Sequence, residues 1–300
     1  MHGGRPREAA IDDDSRSRVL RHRHILRIEG ARVLESTRTF TIVNSCKDTI
    51  WPAITPGGNI SGGGFSLKGG QSVVYTIPDS WTGRIWARTG CDFDKDGNGK
   101  CRTGGCGEVL NCTGPGSRPS TLADFTLGSI DYYDVSVVDG FNLPIAIQPS
   151  GGKGNCSSAG CDGDLRDNCP PELAVKDDRG KVVACRSACD VFHTGEYCCT
   201  GQFDNPMTCL PTNYSRSFKQ VCPAAYSFGY DDPTSILTCS SADYVVAFCA
   251  TRNQKVCSYH DKQLKCNVES SKAATLVTIS QRWQNFIFTF LFILKFGILF

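Results

Sequence analysis

Short runs of β-like sequence recur between residues 39 and 248. Apolar and polar residues alternate at residues 39–43 and 84–88, and residues 73–77 are β-branched and aromatic, which predicts β-strands. Gly-rich stretches such as residues 57–64 and 114–116 separate these runs, as tight turns in an antiparallel sheet would. The predicted strands are residues 39–43, 73–77, 84–88, 124–127, 132–138, 144–148 and 244–248. Many short strands with Gly- and Pro-rich turns indicate a mainly β fold, either a sandwich or a flattened barrel.

Two regions interrupt this pattern, and both are rich in cysteine. Residues 91–112 hold four cysteines and little apolar sequence, so we expect a small loop module held by local bridges. Residues 161–222 hold eight cysteines and two stretches with helical character, residues 185–197 and 214–226. We therefore expect a disulfide-rich helical module beside the sheets, in which bridges replace an apolar core.

Cysteine usage also indicates the compartment. Sixteen of the 18 cysteines lie from Cys46 to Cys249, and Cys257 and Cys266 follow. An even count at this density predicts disulfides and an oxidising, extracellular environment. A zinc site is the competing interpretation, and it fails because His193 is the only histidine within that unit. We expect neither a metal nor a cofactor.

The charge divides the chain into three segments. Residues 1–38 carry nine Arg, no Lys and six acids, residues 39–249 have a net charge of −6, and residues 250–300 have +5. An acidic folded unit disfavours nucleic acid and anionic lipid as ligands, and it favours a neutral polymer. Because residues 1–38 contain no apolar stretch of signal-peptide length, we expect a disordered basic extension and an export signal on an exon missing from this sequence.

The last residues of the chain have an apolar character of their own. Residues 286–300 are apolar except for Thr289, Lys295 and Gly297. Small residues at 273–275 and a spacer at 276–285 precede them, which is the order of a glycolipid attachment signal. We expect a linker over residues 250–285 that carries the extra cysteine pair, followed by an anchor signal that is removed. A single membrane span and a gene-model artefact are the alternatives.

Several sequence blocks stand in a recognisable order along the cysteine-rich unit. They include TFTIVNSC at 39–46, RIWARTGC at 84–91, TLADF at 121–125, DYYDVSVVDGFNLP at 131–144, ACDVFHTGEYCC at 188–199 and DDPTS at 231–235. Their order and spacing resemble the thaumatin-like proteins, the fifth group of plant pathogenesis-related proteins. The resemblance covers about 210 of 300 residues, and it implies a domain over residues 39–249. The implied fold is a flattened β-sandwich with a disulfide-rich helical module and a small loop module.

The resemblance also implies a disulfide pairing, which cysteine spacing alone leaves open. The implied pairs are Cys46–Cys249, Cys91–Cys101, Cys106–Cys112, Cys156–Cys239, Cys161–Cys222, Cys169–Cys185, Cys189–Cys198 and Cys199–Cys209. Cys257 and Cys266 lie outside the family unit, and we expect them to pair with each other.

A cleft between the sandwich and the helical module, lined by one Arg and four acids, is a further implication of the resemblance. Mapped by motif, the residues are Arg84, Asp124, Asp134, Asp139 and Asp231, with Asp232 as the alternative to Asp231. Paired carboxylates suit sugar hydroxyls, and clustered acids push one another's pKa values apart. The alternative interpretation is that these acids are ordinary turn and strand-end residues, since Asp-Gly at 139–140 is itself a turn signal.

The function that the resemblance implies is that of an extracellular, antifungal plant defence protein whose acidic cleft binds β-1,3-glucan. A weak endo-β-1,3-glucanase that uses Asp124 and Asp139 is the second possibility, and a cell-surface interaction protein without sugar binding is the third. The family motif has Glu where this chain has Asp124, so this shorter acid could bind sugar without reaching the glycosidic oxygen. We expect a monomer with no nucleic-acid partner.

Two patterns invite a catalytic or metal-binding interpretation and do not support it. Residues 92–97, DFDKDG, imitate the start of a calcium loop, but Thr103 occupies the twelfth position where Glu is needed. We expect a polar hairpin tip there. His193 lies close to Glu196, and we expect it to be a packed structural residue on a helix.

Four Asn-x-Ser/Thr sequons begin at Asn59, Asn111, Asn155 and Asn213. A bridging cysteine is the middle residue in two of them, which hinders modification. We therefore expect glycosylation at Asn59 and Asn213.

Overall fold

The structure, a computed structural model, describes residues 36–57, 63–260 and 263–266, which belong to one compact unit. Asn59, most of the predicted N-terminal extension and the predicted anchor signal lie outside the described residues. Residues 37 and 38, predicted to be part of the extension, instead belong to the first strand. Within the part of the chain that the structure describes, no helix has the length and apolar character needed to cross a bilayer.

Five strands form the first sheet. They are β1 (Thr37–Asn44), β3 (Ser72–Pro78), β9 (Ile145–Ser150), β10 (Ala159–Gly160) and β14 (Asp243–Phe248), in the order β10-β9-β14-β1-β3. Alternation explains β1, where Phe40 and Ile42 are fully buried and the threonines between and beside them are not. β1 and β14 pair in parallel, which joins the two ends of the domain.

Five antiparallel strands form the second sheet. They are β2 (Trp51–Thr55), β4 (Thr82–Arg88), β7 (Leu122–Thr126), β8 (Asp131–Ser136) and β13 (Leu237–Cys239), in the order β13-β8-β7-β4-β2. All seven predicted strands are present in the two sheets. β2 was not predicted as a strand, and it holds Pro52, which a sheet tolerates because β2 lies at the edge.

Aromatic side chains fill the space between the two sheets. The Phe40 and Phe125 ring centroids are 4.9 Å apart at an interplanar angle of 70°, and Tyr133 and Tyr244 are 5.3 Å apart at 61°. Edge-to-face pairs of this kind contribute about 0.5–1.5 kcal/mol each beyond the burial of their area. This rigid core holds the outer face of the second sheet in place, and the predicted mainly β sandwich is confirmed.

The helical module consists of short elements closed by disulfides. They are α1 (Ala188–Phe192), α2 (Gly195–Cys198), α3 (Asn213–Val221), α4 (Asp232–Ser235), the hairpin β11 (Ala174–Lys176) and β12 (Val182–Cys185), and 3-10 helices at Leu165–Asn168 and Gly201–Phe203. The predicted helix over residues 185–197 is wrong in extent, because residue 185 ends a strand and the chain turns between two helices. α3 ends at residue 221, short of the predicted 226, since Pro223 disfavours helical backbone before it.

His193 is the residue at which the helical segment breaks. Its backbone is left-handed, with φ of 53°, and its N–H donates to the carbonyl of Cys189 as the C-cap of α1. The side chain is exposed. The expectation of a packed histidine is therefore wrong, because the cap position turns the residue away from the module.

The loop module is a hairpin fastened to the second sheet. Its strands are β5 (Asp92–Phe93) and β6 (Gly99–Lys100), and at the tip Asp94 Oδ1 accepts from the backbone N–H groups of residues 96 and 98 at 2.9 and 2.8 Å. Arg88 is fully buried beneath it and donates to the carbonyls of Trp51 and Val109 at 3.0 and 3.1 Å. This guanidinium also lies 5.4 Å from the Phe93 ring centroid. One buried cation thus joins sheet and loop.

All 18 cysteines fall within the described residues, and none is free. The nine bridges have the pairing that the family resemblance implies, together with Cys257–Cys266. Cys46–Cys249 has a sequence separation of 203 and lies beside the parallel pair of β1 and β14. The termini of the domain are therefore joined both covalently and by strand pairing.

The segment after the last family cysteine is packed rather than free. Val256 is buried with Val43 and Val245 against the outer face of the first sheet. Gln148 Nε2 donates to the carbonyls of residues 252 and 254 at 3.2 and 2.7 Å. The predicted linker is thus wrong for residues 250–256, because the apolar outer face of this sheet requires cover. β15 (Cys257–His260) and β16 (Gln263–Cys266) follow as a disulfide-closed hairpin.

Candidate functional site

Three charged side chains stand next to one another on the outer face of the second sheet. Arg84 of β4 is the cross-strand partner of Asp124 of β7, and Asp124 is the partner of Asp134 of β8. We call these three residues the charged row. The residues that follow or precede them in each strand point into the core and are fully buried: Ile85, Ala123 and Val135. Because side chains alternate, the charged residues must share the opposite face, with Cβ atoms about 4.5–5.5 Å apart between neighbouring strands.

The loop module covers the sheet on one side of the charged row. Trp86 and Leu122, paired in register, are buried there beneath Cys112. The Trp86 indole N–H donates to the Gly104 carbonyl at 2.8 Å, which holds the cover in place. The charged row therefore lies at the boundary between the part of the sheet face that the loop module covers and the part that is open to solvent. In the row, 37% of the Arg84 side chain and 28% of the Asp124 side chain are exposed.

Arg84 and Asp124 form an ion pair within the row. Arg84 Nε lies 3.1 Å from Asp124 Oδ1, and Nη2 donates to Oδ2 at 3.5 Å. The shorter contact is an ion pair without hydrogen-bond alignment, so Oδ1 is left without a hydrogen-bond donor among the described residues. The arginine thus orients one carboxylate, whose Oδ1 is shielded from solvent.

Burial and mutual repulsion perturb the two carboxyls of the row. Desolvation, followed by repulsion from Asp124, raises the pKa of Asp134 from 3.8 to about 7, although Arg84 opposes the shift. Desolvation also raises the pKa of Asp124, with Arg84 acting against it and Asp139 adding to it. At mildly acidic pH the row therefore contains a protonated Asp134, which can donate a hydrogen bond, beside Asp124, which is paired with a cation.

Asp139 lies in the turn after β8, close enough to the row to influence Asp124 electrostatically. Its carboxylate pairs with Arg118, whose Nε is 2.6 Å from Oδ1. The turn requires Gly140, whose φ is +89°, because an added Cβ there would lie 2.6 Å from Pro119 and 2.7 Å from the Cys185 carbonyl. Asp139 is thus at once a turn residue and a neighbour of the site.

The two acids of the DDPTS motif have different environments. Asp231 is buried and accepts from Lys219 Nζ, the Ser227 backbone and hydroxyl, and the Thr234 hydroxyl, so its oxygens are used within the fold. Asp232 is exposed, and its charge contributes to raising the pKa of Asp134. Asp232, the alternative assignment, is therefore the acid of the motif whose charge acts on Asp134 of the charged row.

Sequence reasoning missed Tyr226. Its hydroxyl donates to Asp232 Oδ1 at 2.8 Å, and its backbone bonds to Val135 and Val137 of the strand that carries Asp134. Desolvation, then the hydrogen bond to Asp232, raises the pKa of this phenol, so it stays a donor. No motif pointed to Tyr226, since its role depends on two segments that meet only in the folded protein.

A separate hollow lies in the helical module. It is lined by residues that include Tyr197, Tyr214, Phe218 and Phe228, and it contains none of the five predicted cleft residues.

Asn213 at the start of α3 is exposed, as are Asn111 and Asn155, so exposure does not separate these three sequons. Glycosylation at Asn213 stays a prediction.

Known proteins share the whole cysteine-rich unit. A profile of the Thaumatin family matches residues 44–250. Pathogenesis-related thaumatin-like protein 3.5 of Cryptomeria japonica is 53% identical over 214 residues, 70% of this chain and 89% of that protein. Pathogenesis-related protein 5 of Arabidopsis thaliana is 52% identical over 215 residues, with 70% and 89% covered. The PR5-like receptor kinase of Arabidopsis thaliana is 44% identical over 226 residues, 71% of this chain but 34% of the kinase. With these sequence matches, and with the two-sheet fold and its disulfides, the chain belongs to the thaumatin family.

Proposed function

We propose that the charged row binds β-1,3-glucan of fungal cell walls, and that the protein is an extracellular, antifungal plant defence protein. The observation that carries the proposal is the side-by-side placement of Arg84, Asp124 and Asp134 on a half-exposed sheet face. Ionised groups at the edge of a desolvated region form strong hydrogen bonds to hydroxyls. A neutral sugar polymer offers many hydroxyls and adds no charge of its own.

The surroundings of the row support a neutral extracellular ligand. The charged row offers a polyanion little attraction, because its arginine is already paired with Asp124 and the charge of Asp232 acts on the same region. Nine disulfides suit an oxidising compartment outside the cytosol. The relatives named pathogenesis-related are consistent with a role in defence.

Weak endo-β-1,3-glucanase activity is the second candidate, and one observation favours it. Asp124 and Asp134 are direct cross-strand partners, and the pKa of Asp134 is raised to about 7, so an acid and a carboxylate stand together. Cβ atoms about 4.5–5.5 Å apart can place two carboxyls near the roughly 5–5.5 Å of retaining glycosidases. Asp139 is the weaker partner, because Arg118 engages its carboxylate.

One incubation tests binding and hydrolysis together. The double variant Arg84→Ala, Asp124→Ala removes the ion pair without changing the net charge. Retention on insoluble β-1,3-glucan should fall at least about tenfold, because lost hydrogen bonds to charged groups cost roughly 1.5–3 kcal/mol. Reducing ends that the unmodified protein releases from this insoluble glucan report hydrolysis in the same sample.

The matched control is the double variant Lys100→Ala, Glu108→Ala, which also leaves the net charge unchanged. It removes an exposed ion pair of the loop module, in which Lys100 Nζ lies 2.7 Å from Glu108 Oε1. It should bind glucan as the unmodified protein does. Retention of both double variants at the level of the unmodified protein would refute the charged row as the binding site. If the unmodified protein itself is not retained, the glucan-binding proposal is refuted and a cell-surface interaction protein without sugar binding is favoured. If the amount of reducing ends does not exceed that of the blank while the protein is retained on glucan, hydrolysis is refuted and binding stands.

A further inference from the structure

Next to the charged row, on its uncovered side, four hydroxyl-bearing residues stand in register. Thr82 of β4 pairs with Thr126 of β7, Thr126 with Tyr132 of β8, and Tyr132 with Thr238 of β13. We call Thr82, Thr126, Tyr132 and Thr238 the hydroxyl row. In β4, β7 and β8 its members lie two residues from a member of the charged row, so both rows occupy the same face about 6.5–7 Å apart.

The hydroxyl row is open to solvent. Thr82 and Thr126 are exposed, Thr238 is half-buried, and 44% of Tyr132 is exposed although it lies within a strand. Ile236, which directly precedes β13, is 42% exposed. The surface here thus combines one accessible aromatic ring, an aliphatic neighbour and a line of hydroxyls, and none of these residues carries a charge.

This combination matches a sugar ring better than other ligands. A pyranose has an apolar C–H face that packs on an aromatic ring, and hydroxyls at its rim that bond to neighbouring donors and acceptors. A polyanion would find the adjoining arginine already paired with Asp124 and would meet the charge of Asp232. A protein partner of ordinary affinity buries about 800 Å² on each side, with several anchors, and the row offers one aromatic anchor.

We propose that the hydroxyl row is an outer subsite for a neutral polysaccharide, in which one sugar stacks on Tyr132 and bonds to the hydroxyls of Thr126 and Thr238. This rests on the proposed function, because the charged row holds an adjacent part of the same polymer. Strands about 4.8 Å apart and rows about 6.5–7 Å apart place the two subsites within reach of one oligosaccharide. Affinity therefore rises with chain length once the ligand covers both rows.

Calorimetric titration with a β-1,3-linked disaccharide and hexasaccharide tests the subsite. Tyr132→Ala should weaken hexasaccharide binding about tenfold, which corresponds to losing one stacked ring, and should leave disaccharide binding unchanged. Tyr132→Phe keeps the ring and should bind the hexasaccharide within about twofold of the unmodified protein. Thr126→Val with Thr238→Val removes two hydroxyls at constant shape and should give an intermediate loss.

The outcomes separate this proposal from the one it rests on. If the unmodified protein binds neither sugar, both proposals fall. If Arg84→Ala, Asp124→Ala abolishes binding while Tyr132→Ala binds both sugars normally, the charged row stands and the outer subsite is refuted. If sedimentation shows a dimer of the unmodified protein that Tyr132→Ala dissociates, the row is a contact between two copies of the chain, and the subsite is refuted as well.

Discussion

The raised pKa of Asp134 has a measurable cost in stability. Its pKa is about 7 in the folded protein and 3.8 in an unfolded chain, so between these values the folded state retains a proton that the unfolded state has lost. When the folded state binds more protons, the free energy of unfolding falls as the pH rises. The stability of the domain should therefore decrease from pH 4 to pH 7, with Asp124 contributing in the same direction.

The magnitude follows from the two pKa values. One pKa unit corresponds to about 1.4 kcal/mol, so Asp134 lowers the free energy of unfolding by about 2–3 kcal/mol between pH 5 and pH 7. For a domain of this size, that is about 5–10 °C in Tm. Asp134→Asn removes the titrating group, and at pH 7 it should stabilise the protein by at least this amount.

Thermal and urea unfolding under non-reducing conditions, at several pH values from 4 to 8, measure the effect. The difference between Asp134→Asn and the unmodified protein should grow steadily from pH 4 to pH 7 and then level off. Asp177→Asn is the control, because backbone N–H groups, first that of Lys181, lower the pKa of Asp177, and its contribution changes only below about pH 5. Parallel stability curves for Asp134→Asn and the unmodified protein between pH 5 and 7 would refute the reasoning.

Two further predictions concern how the domain is held together. Arg88→Met leaves the part-buried carbonyls of Trp51 and Val109 without the Arg88 donor and should lower the free energy of unfolding by about 2–4 kcal/mol. Urea unfolding measures this loss, and proteolysis within residues 91–112 should also become faster. The control is Lys100→Met, which removes an exposed cation of the same module, and equal stability of the two variants would contradict the prediction. Replacing both Cys46 and Cys249 by Ala opens a loop with a sequence separation of 203 and should cost about 4–5 kcal/mol. Replacing both Cys257 and Cys266 opens a separation of only 9, for which the same relation gives about 2.5 kcal/mol, so equal losses for the two variants in calorimetry would refute the loop-length argument.

Local patterns in the sequence determined much of this protein. Alternation placed strands such as residues 39–43, because a strand with one buried face must repeat every two residues. The even cysteine count indicated disulfides, since dense cysteines without histidine partners have few other uses. Helix extents were less accurate, because the break at His193 comes from the packing of short helices between bridges and not from local propensity.

The motif match named the acids of the site, but it did not show how each is used. Asp231 and Asp232 are adjacent in the sequence, yet one is enclosed by Lys219 and two hydroxyl side chains while the other faces the row. The same limit applies to Arg88, an ordinary strand residue in the sequence that proves to be a fully buried cation. Burial of a polar group depends on what packs over it, and that cover comes from distant residues.

Only the tertiary structure decided which side chains are neighbours. Arg84 and Asp124 are 40 residues apart, and their ion pair exists because β4 and β7 pair in one register. A shift of one residue would turn these side chains towards the core. The hydroxyl row depends on the register of four strands, and the high pKa of Asp134 on burial beside a second carboxylate. Register and desolvation are properties of the assembled sheet, because they are set by pairing between segments that are far apart in the chain.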